Sequence, residues 1–307
     1  MSHRIAAVVV LYHPDKAAQE GLLCRLLHPI SADVECVYLF LNSPPAAELI
    51  AQCRAAAGTT PVEILGTGDN VGLGYAYNEA ARAAGQRGCD LLLIFDQDSE
   101  PAPGLPRRLA AAYDEAGGRA ARIAVIGPRP TAPTGNVPYK LPPATLRSGP
   151  GSLVEVGFVI SSGSLIDLAA LTDIGPFRAD FFIDGIDIEW GFRARARGFR
   201  CLRVDTEAMP HRVGRGVRRP GPLPVRFVEQ SAPRLFTYAR NQVAMMRLPH
   251  VPLSWKARTA LSLGLRLMLS LGSRARQREA GAIVRGIRCG LRGELGRPPT
   301  MAEEPVR

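Results

Sequence analysis

The stretch Leu91-Leu92-Leu93-Ile94-Phe95-Asp96-Gln97-Asp98-Ser99 constrains the fold of this chain more than any other. Five consecutive apolar residues between polar flanks are too few for an isolated helix and predict a strand buried on both faces. That strand delivers two carboxylates, one residue apart, at its C-terminal end, the edge of an open α/β sheet where ligands bind. Their repulsion is relieved by a cation or by converging donors, and a divalent metal is the natural partner. A merely solvated strand end is the alternative reading of this segment.

The sequence around it supplies the rest of a sheet. Residues 5–12, 34–41 and 62–65 read as strands. Helical patterns run from His13-Pro14-Asp15 to Leu27, over 46–57 behind Asn42-Ser43-Pro44-Pro45, and over about 72–85 behind a cap at Asp69-Asn70. Further on, 104–116 reads as a helix, 123–127 as a strand and 128–152 as a long surface loop rich in Pro, Gly and Thr. Strands around Ser161-Ser162-Gly163, a helix over 187–197 and a strand over 201–204 complete the pattern. Strands alternating with helices predict βαβ units and a mainly parallel sheet.

Past residue 230 the pattern changes to helices over 234–247 and 253–272 in which Leu, Met and Trp alternate with Arg. Residues 259–272 suit either a membrane interface, with arginines reaching for headgroups, or packing on the main domain. The expected organisation is a domain over 1–230, a helical extension over 231–292 that could touch a membrane, and a disordered tail over 293–307.

Apolar residues make up 46% of the chain, enough for a large core, and the formal charge of +10 is nearly all arginine, with lysine only at 16, 140 and 256. Arginine favours bidentate contact with phosphates and carboxylates, so anionic partners are expected. Nucleic acid is disfavoured because no stacking platform accompanies the arginines. Cys24, Cys36, Cys53, Cys89, Cys201 and Cys289 form no metal-ligand spacing and read as reduced thiols of a cytosolic protein. No signal peptide or spanning helix is expected.

A second acidic cluster is Phe181-Phe182-Ile183-Asp184-Gly185-Ile186-Asp187-Ile188-Glu189-Trp190. Asp187 stands where a helix should begin, and either caps that helix or serves as a base whose proton affinity is raised by the aromatic walls. His211, in His211-Arg212-Val213-Gly214, is a candidate metal ligand.

Taken in order, these pieces resemble the family-2 inverting glycosyltransferases of the Rossmann-like GT-A fold, and within them the bacterial rhamnosyltransferases that use dTDP-rhamnose. The resemblance rests on the 8–12 strand, the Asn70-Val71-Gly72-Leu73-Gly74-Tyr75-Ala76-Tyr77-Asn78 helix start, the Asp96-Gln97-Asp98-Ser99 DxD motif, the 182–190 acidic motif with Arg193, and Tyr238-Ala239-Arg240-Asn241. It implies that Asp98, with His211, holds Mg²⁺ or Mn²⁺ against the donor diphosphate. It further implies that Tyr12, Asn42, Asn70, Gly72, Asn78, Asp96 and Gln97 line the donor site, and that Asp187 deprotonates the acceptor hydroxyl. Ser162, Gly163, Glu189 and Trp190 would shape the acceptor side. The implied reaction is transfer of L-rhamnose to a glycan or lipid-linked acceptor for a cell-surface polysaccharide, at the cytoplasmic face of a membrane. Two positions depart from the pattern: Leu41 stands for an Asp that helps hold the nucleoside, and Ile186 for a Glu before the base. A UDP-sugar donor, or a non-catalytic nucleotide-sugar-binding relative, are the alternatives. A HAD-type phosphatase is disfavoured, because its motif lies near the N-terminus and needs a downstream lysine, whereas here the motif is mid-chain and the later lysines are Lys140 in a Pro-rich loop and Lys256 in the basic tail.

Overall fold

The computed structural model describes residues 3–14, 21–45, 47–131, 144–147, 153–210, 217–218, 227–272 and 276–298. Strands are β1 (Ile5–Leu11), β2 (Cys36–Leu41), β3 (Val62–Leu65), β4 (Leu91–Asp96), β5 (Ile123–Thr131), β6 (Ala144–Arg147), β7 (Leu153–Val156), β8 (Ser164–Asp167), β9 (Arg200–Pro210), β10 (Val217–Arg218) and β11 (Phe227–Val228). Helices are α1 (Leu22–Ser31), α2 (Ala47–Ala57), α3 (Leu73–Gln86), α4 (Leu105–Glu115), α5 (Leu168–Ile174), α6 (Ile186–Ala196), α7 (Ala232–Met246), α8 (Leu253–Leu271) and α9 (Gln277–Arg292), with a 3₁₀ turn over Ala179–Phe181.

Nine strands form one sheet in the order β3-β2-β1-β4-β8-β5-β9-β7-β6. Strands β3, β2, β1 and β4 run parallel, as do β5 and β9, while β8 is antiparallel to β4 and β5. The continuous apolar runs follow from this topology. Every residue of β1 is buried, because Ala6, Val8 and Val10 pack with Ala76, Tyr77, Ala80 and Ala84 of α3 on one face. Ile5, Ala7, Val9 and Leu11 pack with Leu23, Leu26 and Ile30 of α1 and Leu109 of α4 on the other. Helices on both faces leave no polar side for an alternating pattern to mark.

Several boundaries differ from the sequence expectation. Helix α3 opens on Gly72, with no side-chain cap; Asn70 instead accepts a hydrogen bond from the Gly72 N–H at 3.2 Å, two residues short of a capping position. Strand β5 continues through Thr131 beside β9, and β6 pairs with β7, so part of the expected 128–152 loop is sheet. Strand β9 is longer than the 201–204 run because its outer half pairs with that β5 extension.

The C-terminal helices build a core of their own from Leu235, Phe236, Ala239, Val243, Leu263, Ala282 and Ile283. Helix α8 turns Thr259, Leu263 and Ser270 inward, while Trp255 meets Phe158 and Phe192 edge-on at 5.5 and 5.3 Å. Residues 293–298 join the folded body, where the Gly296 N–H donates to the Asp180 carbonyl at 2.6 Å. Residues 299–307 lie outside the described set.

Candidate active site

Because β1, β2 and β4 are parallel, their C-terminal ends open on one edge. Leu11 lies opposite Leu41, and Val10 opposite Asp96, so Tyr12, Asn42 and the Asp96–Asp98 turn emerge together. The 161–163 turn reaches the same edge because β8 runs against β4: the Gly163 N–H donates to the Ile94 carbonyl at 2.7 Å, and the Ser162 and Ser99 hydroxyls are 2.7 Å apart. A Cβ on Gly163 would come within 2.8 Å of the Met209 methyl.

Burial decides the electrostatics of this edge. Asp96 is pushed up to about 6, by desolvation first and then by the Asp98 charge, against the opposing pull of Arg234. Asp187, the second residue of α6, is also raised to about 6 by desolvation, with the Asp96 charge adding to it. Two backbone donors partly offset the rise: the Asp187 carboxylate accepts from the Ile188 N–H at 2.8 Å and from the Ser161 N–H at 3.1 Å. Burial first, and then the charges of Asp96 and Asp187, hold the Tyr77 hydroxyl protonated. Asp96, Asp98 and Asp187 therefore belong to one electrostatic cluster, although Asp98 and Asp187 come from segments far apart in the chain.

The approach to Asp187 is a strained turn. Phe182 has φ 66° and ψ −61°, and the Ile183 N–H donates back to the Phe181 carbonyl at 2.7 Å, a γ-turn of the rare positive-φ type. Asp184 and Gly185 follow with φ of 67° and 81°. Positive φ at a bulky residue costs on the order of 1–3 kcal/mol and persists only where surrounding contacts over-determine it. Here helix α7 supplies those contacts. The buried Asn241 amide nitrogen lies 2.9, 2.7 and 2.9 Å from the carbonyls of Phe181, Ile183 and Asp184. Arg240 donates to the Phe181 carbonyl at 3.0 Å, to the Gly296 carbonyl at 2.7 Å and to Asn241 Oδ1 at 3.0 Å. Arg234 donates to Asp184 Oδ1 at 3.1 Å, leaving Asp184 Oδ2 buried without a partner among the described residues. From the start of α3, the Leu73 N–H donates to the Phe182 carbonyl at 2.7 Å. Gly72 has φ 85°, and a Cβ there would sit 2.6 Å from that same carbonyl.

No family model matches the chain. A curated relative, the dTDP-rhamnosyl transferase RfbF of Shigella flexneri, is 23% identical over 257 residues, covering 82% of this chain and 83% of its own. Among solved structures, TarS of S. aureus superposes with a TM-score of 0.53 at 15% identity over 83% of this chain, which spans only 41% of TarS. The mannosyltransferase PcManGT from Pyrobaculum calidifontis, solved with GDP-Man and Mn²⁺, gives 0.55 at 13% identity over 95% of this chain and 88% of its own. The chain has the GT-A fold of these glycosyltransferases.

Within this fold, the residues singled out by sequence divide into those that face the site edge and those that brace it. Tyr12 is 37% exposed at the mouth. Gln97, expected on the donor, instead spends its amide on the Tyr12 backbone, accepting from the N–H at 2.9 Å and donating to the carbonyl at 3.1 Å. Asn42 is buried, and its Oδ1 accepts from the Val71 N–H at 3.2 Å. Asn78 grips both backbone groups of Phe177 at 2.9 Å, which leaves it no reach to a ligand.

The expectation that Glu189 and Trp190 line the acceptor pocket is corrected. Glu189, two residues past Asp187 on the helix, faces away from it, and Trp190, although on the nearer face, is buried in the core. Glu189 is buried between Arg193, at 3.0 and 3.1 Å, and His250, at 2.8 Å, while Trp190 donates to the Gly175 carbonyl at 3.0 Å under the Phe177 ring. His211 lies outside the described residues.

Tyr77, the Ser161 N–H and Arg234 were not expected at the site. Tyr77 sits inside the 70–78 motif, but nothing in its spacing marks a residue that would face two carboxylates. Arg234 is one arginine among many. Among the described residues no group of three or more His, Cys, Asp and Glu side chains forms a ready-made metal site. The residues present still suit a divalent ion: the half-buried Asp96 and its neighbour Asp98 repel each other, which a bound cation relieves.

Proposed function

We propose that this chain is a glycosyltransferase that moves L-rhamnose from dTDP-rhamnose to a hydroxyl of a glycan or lipid-linked acceptor, with inversion, in the cytoplasm at the inner face of a membrane. The observation that carries the reading is the shared field of Asp96 and Asp187, with Asp98 beside Asp96, on the sheet edge where a nucleotide sugar would lie. The near-full-length likeness to a dTDP-rhamnosyl transferase supports the choice of donor.

In this reading Asp187 accepts the proton of the acceptor hydroxyl as its oxygen attacks the anomeric carbon. The new C–O bond forms as the bond to the phosphate oxygen breaks, and that electron pair leaves with the nucleoside diphosphate. A single displacement converts a β-linked donor into an α-rhamnoside. A proton affinity raised to about 6 suits Asp187 to this work, being ionised at neutral pH yet a better base than a solvated carboxylate. The Ile188 and Ser161 N–H groups orient its two oxygens. Asp98, with His211, would hold Mg²⁺ or Mn²⁺, which when bound neutralises charge on the departing diphosphate. Tyr12, Asn42, Asn70 and Gly72 would frame the nucleotide, and the 161–163 turn the sugar.

A UDP-sugar donor is the second reading, left open by Leu41 in place of a nucleoside-holding Asp. Titration calorimetry of the full chain with dTDP-rhamnose, UDP-glucose and UDP-galactose in Mn²⁺ separates the two. Selective binding of dTDP-rhamnose is the expected result; preference for a UDP-sugar would sink the rhamnose claim and leave the fold and chemistry intact.

A further inference from the structure

Helix α8 carries a second feature that the transfer chemistry does not use. Its inward side is committed through Thr259, Leu263 and Ser270, and the opposite side is apolar and open. Leu253, Leu261, Met268 and Leu271 are 81%, 74%, 65% and 64% exposed, and at 100° per residue they fall within one narrow stripe together with Ala257 and Gly264. The stripe runs the full 19 residues of the helix, about 28 Å at the α-helical rise. Scattered exposed apolar residues mean little, but a continuous stripe of this length marks a contact surface.

Charge identifies the occupant. Residues 1–229 hold 24 basic and 24 acidic side chains, so they are neutral, whereas residues 230–307 hold 14 basic and 4 acidic and carry the whole excess. From Gln230 to Arg278 there is no acidic residue at all. Lys256 and Arg258 flank the stripe on its two sides, where long cationic side chains lie along an apolar surface and present their charge at its rim. A second copy of this chain would bring the same unrelieved cations against one another. An anionic lipid surface takes both the stripe and its flanks. No helix among the described residues is long and apolar enough to cross a membrane, so the contact lies in the interface plane.

We infer that the outer face of α8 docks this enzyme on anionic phospholipid, with Leu253, Leu261, Met268 and Leu271 entering the headgroup boundary and Lys256 and Arg258 meeting lipid phosphates. The inference rests on the proposed membrane-side reaction only for its purpose; the surface itself is independent of the donor.

The test is flotation of the full chain with vesicles of phosphatidylcholine alone and with about one-third phosphatidylglycerol, at low and high salt, alongside Leu261→Asp/Met268→Asp. Both replaced side chains are exposed, so the fold should survive, as circular dichroism and unchanged donor calorimetry would verify. Expected are binding to the anionic vesicles, at least tenfold weaker binding to neutral ones and in high salt, and at least tenfold loss in the double variant. Equal binding to both vesicle types, no binding to either, or a variant that binds like the parent would overturn the inference. So would a dimer, by light scattering, that the double variant abolishes, since the stripe would then belong to a second copy. Vesicle binding with no nucleotide-sugar affinity would leave this surface standing and sink the proposed function instead.

Discussion

The two sides of the site are held in place by opposite means. The Asp96–Asp98 side is built from relaxed elements: a buried strand, a short turn, and a Gln97 amide that ties the turn to the neighbouring strand. The Asp187 side is built from a strained one. Its turn places Phe182, Asp184 and Gly185 at positive φ, and it is pinned by Asn241, Arg240 and Arg234 from a helix some fifty residues further along the chain. A carboxylate that binds a ligand through a cation tolerates small displacement. A base that must meet one hydroxyl does not, and misplacement of about 1 Å can cost on the order of a hundredfold. The rigid clamp stands where the geometric demand is greater.

Breaking the proposed base should have the largest effect. Asp187→Asn is expected to lower turnover of dTDP-rhamnose by roughly 10²–10⁴-fold, the usual range for a lost general base, while calorimetric donor affinity stays within about twofold of the parent on the same view that the base sits apart from the donor. The pH dependence sharpens the assignment. Asp187 must be ionised to act and its proton affinity is raised to about 6. Turnover should therefore be flat above that value and fall about tenfold per pH unit below it. A profile that falls only below pH 4, where a solvated carboxylate titrates, would exclude Asp187 as the base.

The clamp comes next. Asn241→Ala removes a buried donor from three carbonyls and is expected to cost about 2–3 kcal/mol of stability. In calorimetry at a temperature where the variant is folded, donor affinity should hold while turnover drops. Asn241→Asp should be worse than Ala, because it sets a carboxylate against those carbonyls; equal turnover in the two variants would argue that the amide merely fills space. The smallest effect is expected from Glu189→Gln, which weakens the pairs with Arg193 and His250 and should lower stability by about 1–2 kcal/mol with no change in acceptor KM. A raised acceptor KM would return Glu189 to the pocket.

The same contrast explains what the sequence revealed. The donor side is local: the apolar run and the DxD turn are adjacent in sequence and readable by pattern. The GT-A class and the candidacy of Asp187 follow from short motifs as well. The roles of Gln97, Asn78, Glu189 and Trp190 were not legible, because a polar or aromatic side chain beside a motif looks the same whether it faces a ligand or grips a backbone. Asn241 stood inside a recognisable Tyr-x-Arg-Asn element, but only the fold brings its amide to a strained turn. Arg234 and Tyr77 carry no local signal, since the pull of Arg234 on Asp96 and that of Asp96 on Tyr77 depend on packing across the chain. The helix over 277–292 lay hidden among glycines and arginines whose apolar face shows only against α7.

The most direct test of the two-sided site is the Mn²⁺-dependent affinity for dTDP-rhamnose of Asp98→Ala compared with Asp187→Asn, measured by calorimetry on folded protein. The account predicts that Asp98→Ala loses the metal-dependent part of binding and that Asp187→Asn binds as the parent does while failing to turn over. Undiminished binding by Asp98→Ala, or equal loss in both variants, would contradict it.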